Sequence, residues 1–196
     1  MSYNNTPSAR SGHSTPADWV SAVLDANFSM WIFGGSLGTD PPYVSPSWVT
    51  NELYYLDTQA QQWIAVETSF SPSGRSGHSA VLDLEDRIWI FGGRGGPESS
   101  YSVFDDLYHF DIQAVTPWHG AETWTLVSIS GNAPSARFSH SAVLEDPLDL
   151  APRMWVFGGS DSFSSLVMGW EMIRMKTTSL SNFGLHLLEK DRFFLR

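Results

Sequence analysis

Three arginine–histidine pairs carry most of the side chains in this chain that could do chemistry. They stand in the blocks Pro7-Ser8-Ala9-Arg10-Ser11-Gly12-His13-Ser14, Pro72-Ser73-Gly74-Arg75-Ser76-Gly77-His78-Ser79 and Pro134-Ser135-Ala136-Arg137-Phe138-Ser139-His140-Ser141. An imidazole can ligate a metal or carry a proton, and a guanidinium can hold a carboxylate. A three-histidine metal site needs His13, His78 and His140 to converge. They lie 65 and 62 residues apart, each at the same place in a recurring block. That spacing puts them in separate, equivalent units, so they read as structural hydrogen-bonding residues. Arg10, Arg75 and Arg137 fall under the same argument.

Other chemistry finds little support in the residues. Gly92-Gly93-Arg94-Gly95-Gly96 is glycine-rich but lacks the Gly-Lys-Ser/Thr ending of a phosphate loop. There is no Gly-x-Ser-x-Gly elbow and no His-Glu-x-x-His pair. With no cysteine, disulfides, thiolate zinc sites and thiol catalysis are excluded. No cofactor is expected. Two Asn-x-Ser/Thr triplets, at Asn4 and Asn27, matter only in a secreted protein.

The elements that position these residues also recur. Ala22-Val23-Leu24-Asp25 returns as Ala80-Val81-Leu82-Asp83 and Ala142-Val143-Leu144-Glu145. Met30-Trp31-Ile32-Phe33-Gly34-Gly35 returns as Ile88-Trp89-Ile90-Phe91-Gly92-Gly93 and Met154-Trp155-Val156-Phe157-Gly158-Gly159. Asn51-Glu52-Leu53-Tyr54-Tyr55-Leu56-Asp57 returns once, as Asp105-Asp106-Leu107-Tyr108-His109-Phe110-Asp111. A lone Trp63 or Trp124 closes each full unit. Each block is a short β-rich run bounded by Gly, Asp, Pro or Ser. The Trp-Ile-Phe runs are apolar on both faces, so their strands need cover on both sides. The Gly-Gly pair suits a close approach that a Cβ would block.

Four strands in a unit of roughly 50–60 residues fit one propeller blade. The order Arg-x-x-His-Ser, apolar-Phe-Gly-Gly, Asp-Leu-Tyr-x-x-Asp, Trp resembles the kelch repeat over residues 7–162. The resemblance implies an all-β fold: an incomplete kelch β-propeller of four-stranded antiparallel blades, related to the central domain of galactose oxidase. Unit 1 spans residues 1–71 with an insertion at 15–21, unit 2 spans 72–133, and a partial unit 3 spans 134–162. The resemblance makes Arg10, His13, Gly34, Gly35, Trp63, Arg75, His78, Gly92, Gly93, Trp124, Arg137, His140, Gly158 and Gly159 structural repeat residues, not catalytic ones.

Residues 163–196 read as a non-repeat tail, partly helical or featureless. No Asp-Leu-Tyr block and no closing Trp follow Gly159. The tail carries 3 acidic against 5 basic residues, whereas residues 1–162 carry 18 acidic residues against 6 Arg. Related propellers close as rings of about five to seven blades, within the general range of ~4–8. Two and a half blades leave sheet faces bare. The expectation is therefore that blades are missing, through a truncated or misframed gene model after Ser162 more than through completion by another chain.

The net charge of −10 argues against nucleic acid and anionic membrane surfaces, where basic patches supply affinity. No apolar run approaches the ~18 residues of a membrane span, and Met1 to Arg10 lacks the apolar core of a signal peptide. A cytoplasmic location is expected from these features.

Function should lie where the units differ. With strands A to D in each blade, the B–C loops and the D–A links emerge on one side. The B–C loops hold Tyr43 and Trp48 in unit 1, and Arg94, Tyr101 and Phe104 in unit 2. Aromatics and Arg anchor protein interfaces. These five are the candidate partner-binding residues of a non-enzymatic interaction module. Trp118 and His119, in the C–D connection, are a lesser candidate on the opposite side. Two alternatives stand beside this reading: a fragment of a metal-dependent kelch enzyme, and part of an extracellular kelch ectodomain. The copper radical site of the galactose oxidase family needs a cysteine that this chain lacks.

Overall fold

Each Ala-Val-Leu block ends in an acid that turns the chain back on itself. The Asp25 carboxylate accepts the backbone N–H groups of Asn27 and Ser29 at 2.9 and 2.8 Å, and the indole N–H of Trp31 at 2.8 Å. Asp83 repeats the pattern with Glu85, Arg87 and Trp89 at 3.0, 2.9 and 2.6 Å. In the third copy Glu145 accepts the Trp155 indole N–H and pairs with Arg153 at 3.0 Å. One carboxylate thus shapes the turn and fixes the large ring of the next strand. Phe28 and Asp86 hold equivalent turn positions at φ 63° and 56°. A left-handed backbone costs about 1–2 kcal/mol at a non-glycine residue, which the turn's hydrogen bonds offset.

The structure is a computed structural model and describes residues 7, 21–37, 49–96, 102–114, 122–129, 131, 133–145, 153–162, 165–166 and 169–174. The first blade is the antiparallel meander β1 (Ser21–Leu24), β2 (Met30–Phe33), β3 (Leu53–Asp57) and β4 (Gln62–Val66). β5 (Thr68–Phe70) leads to the second blade, β6 (Ser79–Leu82), β7 (Arg87–Phe91), β10 (Leu107–Asp111) and β12 (Thr125–Val127), again in meander order. Between β7 and β10, a small ribbon pairs β8 (Arg94–Gly95) with β9 (Ser102–Val103). β11 (Glu122–Thr123) runs parallel to β5 and ties the two blades together at their outer strands. The third blade pairs β13 (Ser141–Glu145), β14 (Arg153–Phe157) and β17 (Trp170–Arg174). A ribbon of β15 (Ser160–Ser162) and β16 (Ser165–Leu166) lies between the last two. No α-helix occurs among the described residues, and the one helical turn is the short 3-10 segment Ile112–Ala114.

The core lies between blades. Trp31, Phe33 and Leu53 of the first blade pack on Ile88, Ile90, Tyr108, Phe110 and Trp124 of the second. Val81, Trp89, Phe91 and Leu107 on the other face of the second blade pack on Met154, Val156 and Ile173 of the third. β7 therefore serves two cores at once, with Trp89, Ile90 and Phe91 all at 0% exposure. This is the two-sided cover that its apolar run requires. The three blades form an open arc.

The third blade extends beyond the expected boundary. Residues 163–196 carry no repeat motif, yet Trp170–Arg174 is a full strand whose Ile173 is wholly buried. Ile173 faces Met154 as Phe110 faces Ile88. The position demands an apolar side chain at the right alternation, and the Asp-Leu-Tyr spelling is not needed to supply it. The remainder of 175–196 lies outside the described residues.

Candidate functional site

Arg75 is wholly buried at the end of the link into the second blade. Its Nε donates to the Ser73 carbonyl at 3.1 Å and its Nη1 to the Gly92 carbonyl at 2.9 Å. The guanidinium also grips Asp106 at both oxygens, at 2.5 and 3.0 Å. Phe104 covers its flat face, 4.3 Å from the ring centroid to Cζ. Arg137 repeats this in the third blade. It donates to Ser135 and Gly158 carbonyls at 3.0 and 3.2 Å and pairs with Glu171 at 2.7 Å. The acid comes from two residues further along its strand, since Gly158 bonds Gly169 where Gly92 bonds Asp106. The two-point Arg75–Asp106 pair fixes the orientation of both partners, whereas Arg137 and Glu171 meet at one point.

The Gly-Gly pairs receive these arginine blocks from the following blade. Gly35 N–H donates to the Arg75 carbonyl and Gly93 N–H to the Arg137 carbonyl, each at 2.8 Å. A Cβ on Gly34 or Gly92 would stand 2.5 or 2.6 Å from the same carbonyls. Both glycines also have left-handed backbones, at φ 63° and 64°. Gly92→Ala is expected to lower the unfolding free energy by about 2 kcal/mol from backbone strain alone. A denaturant titration reads this as a lower midpoint; an unchanged midpoint would mean the joint tolerates a side chain.

His78 and His140 lie at these joints and are buried, at 2% and 8% exposure. His140 Nε2 bonds Ser79 Oγ at 2.8 Å. For His78, neither ring nitrogen has a hydrogen-bond partner among the described residues. Its ring packs edge-on against Phe33 at 5.7 Å, as His140 packs against Phe91 at 5.5 Å. Burial first, and the neighbouring Arg75 and His140 next, lower the His78 pKa from 6.5 to about 3. Burial and then Arg137 lower that of His140 to about 4.

Both rings are thus neutral in the fold and take protons more readily when unfolded. Their contribution to stability is complete above pH 6.5 and is lost as pH falls from there toward 3–4. Between those limits each histidine is expected to give a slope of about 1.4 kcal/mol per pH unit. Urea titrations from pH 7 to pH 4.5 check this. The slope should be shallower in His78→Gln, and equal slopes would contradict the assignment.

The loop candidates divide. Tyr43, Trp48 and Tyr101 lie outside the described residues, as do Arg10, His13, Trp118 and His119. Arg94 and Phe104 do not project as exposed anchors. Arg94 is 4% exposed, with its guanidinium 4.7 Å from the centroid of the Phe138 ring. Phe104 is half-buried beneath Arg75. Arg94 is turned inward against Phe138 of the next unit's arginine block, whereas Phe104 lies against Arg75 of its own unit. Ser76 and Arg94 exchange backbone hydrogen bonds at 2.9 Å, and Phe138 and Ser160 do the same. A Cβ on Gly95 would overlap the Gly74 carbonyl. The described parts of the second and third B–C loops are therefore bonded to the arginine blocks of their own units. Trp124 is core, at 2% exposure, while Trp63 at the equivalent place of the first blade is half-buried.

The opposite end of the blades carries a cleft of about 290 Å³ between the first two, walled by Trp31, Tyr55, Asp86 and Gln113. Trp31 and Tyr55 stack there at 4.7 Å. Asn27 lines its rim and is exposed. Among the described residues no three His, Asp or Glu side chains converge.

Residues 2–164 match the family model described as the KLHDC2/KLHL20/DRC7 Kelch-repeats domain. The chain is similar to the Rho GTPase-activating protein gacHH of Dictyostelium discoideum, 32% identical over 163 residues, covering 81% of this chain and 9% of that protein. It is 31% identical over 148 residues to the F-box/kelch-repeat protein At1g51550 of Arabidopsis thaliana, covering 73% of this chain and 28% of that protein. It is 33% identical over 116 residues to Kelch domain-containing protein 3 of Bos taurus, covering 54% of this chain and 26% of that protein. The chain thus spans less than a third of each of these relatives. The arginine-to-glycine joints, the two-sided β7 and the match over residues 2–164 agree on one conclusion: the chain belongs to the kelch-repeat family.

Proposed function

We propose that this chain is a protein-interaction module and that its contact face is the layer of B–C loops and D–A links. The observation that carries this reading is the pair of backbone hydrogen bonds between Ser76 and Arg94, matched by Phe138 and Ser160. They give the loops a rigid base on one side of the arc. Binding segments held by a scaffold lose less freedom on association than free loops do. On that base Tyr43, Trp48 and Tyr101 are the contact residues, because Tyr and Trp are the side chains most enriched at interface hot spots. Arg94 and Phe104 act from beneath, as positioning residues. The partner is a protein, and the acidic charge of the chain favours a basic surface on it.

The test is quantitative affinity capture from a matched extract, comparing the chain with its Tyr43→Ala/Trp48→Ala/Tyr101→Ala variant. Proteins enriched by the former are expected to fall at least tenfold with the latter, while thermal unfolding of the two coincides. Equal enrichment with equal folding would overturn the proposal.

A further inference from the structure

The turn acids of the three blades do not have the same neighbours. In the second blade the Asp83 carboxylate accepts four hydrogen bonds. Two come from the backbone N–H groups of Glu85 and Arg87, one from the Trp89 indole and one from Arg87 Nε, the last at 2.7 Å. The Arg87 guanidinium also pairs with Glu85 at 2.8 Å and places its Cζ 5.3 Å from the centroid of the Trp89 ring. In the third blade Arg153 holds the same place, two residues before Trp155, and pairs with Glu145 at 3.0 Å.

The first blade repeats these surroundings without the arginine. Asp25, at 7% exposure, accepts the equivalent two backbone N–H groups and the Trp31 indole N–H. Among the described residues no fourth donor reaches it. Tyr55 stacks on Trp31 at 4.7 Å, as His109 packs on Trp89 at 4.9 Å. The residue two before Trp31 is Ser29, which is short and uncharged. Open space stands in the arginine's place. Asp25, Ser29 and Trp31 all line the cleft of about 290 Å³ between the first two blades, and its lining includes no Lys or Arg. The second blade adds another carboxylate there, Asp86, one oxygen of which accepts the Gln113 side-chain N–H at 3.1 Å.

We propose that this cleft receives the guanidinium of an arginine side chain on another protein, in the place that Arg87 fills within the second blade. A buried carboxylate with room for one more donor, a second acid and an indole are what the chain itself builds around Arg87. A guanidinium is planar and weakly hydrated and stacks on aromatic rings, so it enters such a cleft at less cost than a lysine ammonium. Ile112 in the wall suits the methylene stem that follows it. The cleft lies at the end of the blades opposite the B–C loops, so this inference stands apart from the contact face proposed above.

Titration of the full chain with the peptide Gly-Arg-Gly, followed through the Trp31 indole N–H resonance, tests this. A saturable shift is expected, with affinity about tenfold above that of the same peptide carrying neutral citrulline. Ser29→Arg supplies the guanidinium from within the chain. It should abolish the peptide's shift and raise the thermal midpoint by about 2–4 °C. Asp86→Asn should weaken the peptide about two- to fivefold with the fold kept. No saturable shift at millimolar peptide would overturn the proposal. So would equal affinity for the arginine and citrulline peptides, or a Ser29→Arg variant that binds as before or melts lower. Unchanged affinity in Asp86→Asn, or a lysine peptide that binds as tightly, would overturn the assignment of this cleft to a guanidinium.

Discussion

Arg75→Met is expected to lower the unfolding free energy by about 3–5 kcal/mol, the cost of breaking a buried ion pair from one side. Arg75 is fully buried, and its removal strands Asp106 near the joint together with the carbonyls of Ser73 and Gly92. Methionine preserves much of the side-chain volume against Phe104 and Tyr108, so lost packing is a minor part of the effect. Asp106→Asn should cost less, since the Asp106 side chain is 26% exposed and water can take up part of what the arginine leaves. The double substitution Arg75→Met/Asp106→Leu should recover part of the loss, because no charge then remains unpaired. Chemical denaturation of the unaltered protein, Arg75→Met, Asp106→Leu and the double variant measures the coupling. Additive losses with no recovery would show that the two side chains do not act as a pair.

Trp89→Ala is expected to cost about 3–5 kcal/mol, the range for removing a large aromatic from a core. Trp89 is 0% exposed, packs in the cluster between the second and third blades, and lies 4.9 Å from His109. Its indole N–H also holds the turn through Asp83 at 2.6 Å, so truncation loosens the β6–β7 hairpin too. Trp89→Phe separates the two effects. It keeps most of the packing and loses only the hydrogen bond, for about 1–3 kcal/mol. If Trp89→Ala and Trp89→Phe fell equally, the ring's packing would carry none of the stability and the two-sided role of β7 would be wrong.

Much of this arrangement was legible in the sequence because repetition makes it so. The Trp-Ile-Phe run announces a strand covered on both faces, and β7 is that strand. The Gly-Gly pairs announce a close approach, and the Arg75 and Arg137 carbonyls are what approach. Two matters were not legible. Trp170–Arg174 shares no spelling with Leu53–Asp57 or Leu107–Asp111, because burial at Ile173 constrains alternation and not identity. Arg94 and Phe104 sit in a loop whose composition suits an interface. Their partners, Phe138 and Arg75, are distant along the chain, and composition does not say which way a side chain turns. The acid that meets Arg75 could have been found. Glu52 and Asp106 hold the same place in aligned units, and an acid kept beside an invariant buried arginine signals an ion pair.

The central claim is that the recurring arginine blocks and glycine pairs are the joints between blades. Hydrogen exchange measured residue by residue tests it most directly. The N–H groups of Gly35, Gly93, Arg75 and Arg137 donate across those joints at 2.8–3.2 Å. They should exchange as slowly as amides of β7, through unfolding of the whole arc. Exchange at the rate of exposed turns such as Thr58 to Gln61, with β7 still protected, would contradict it.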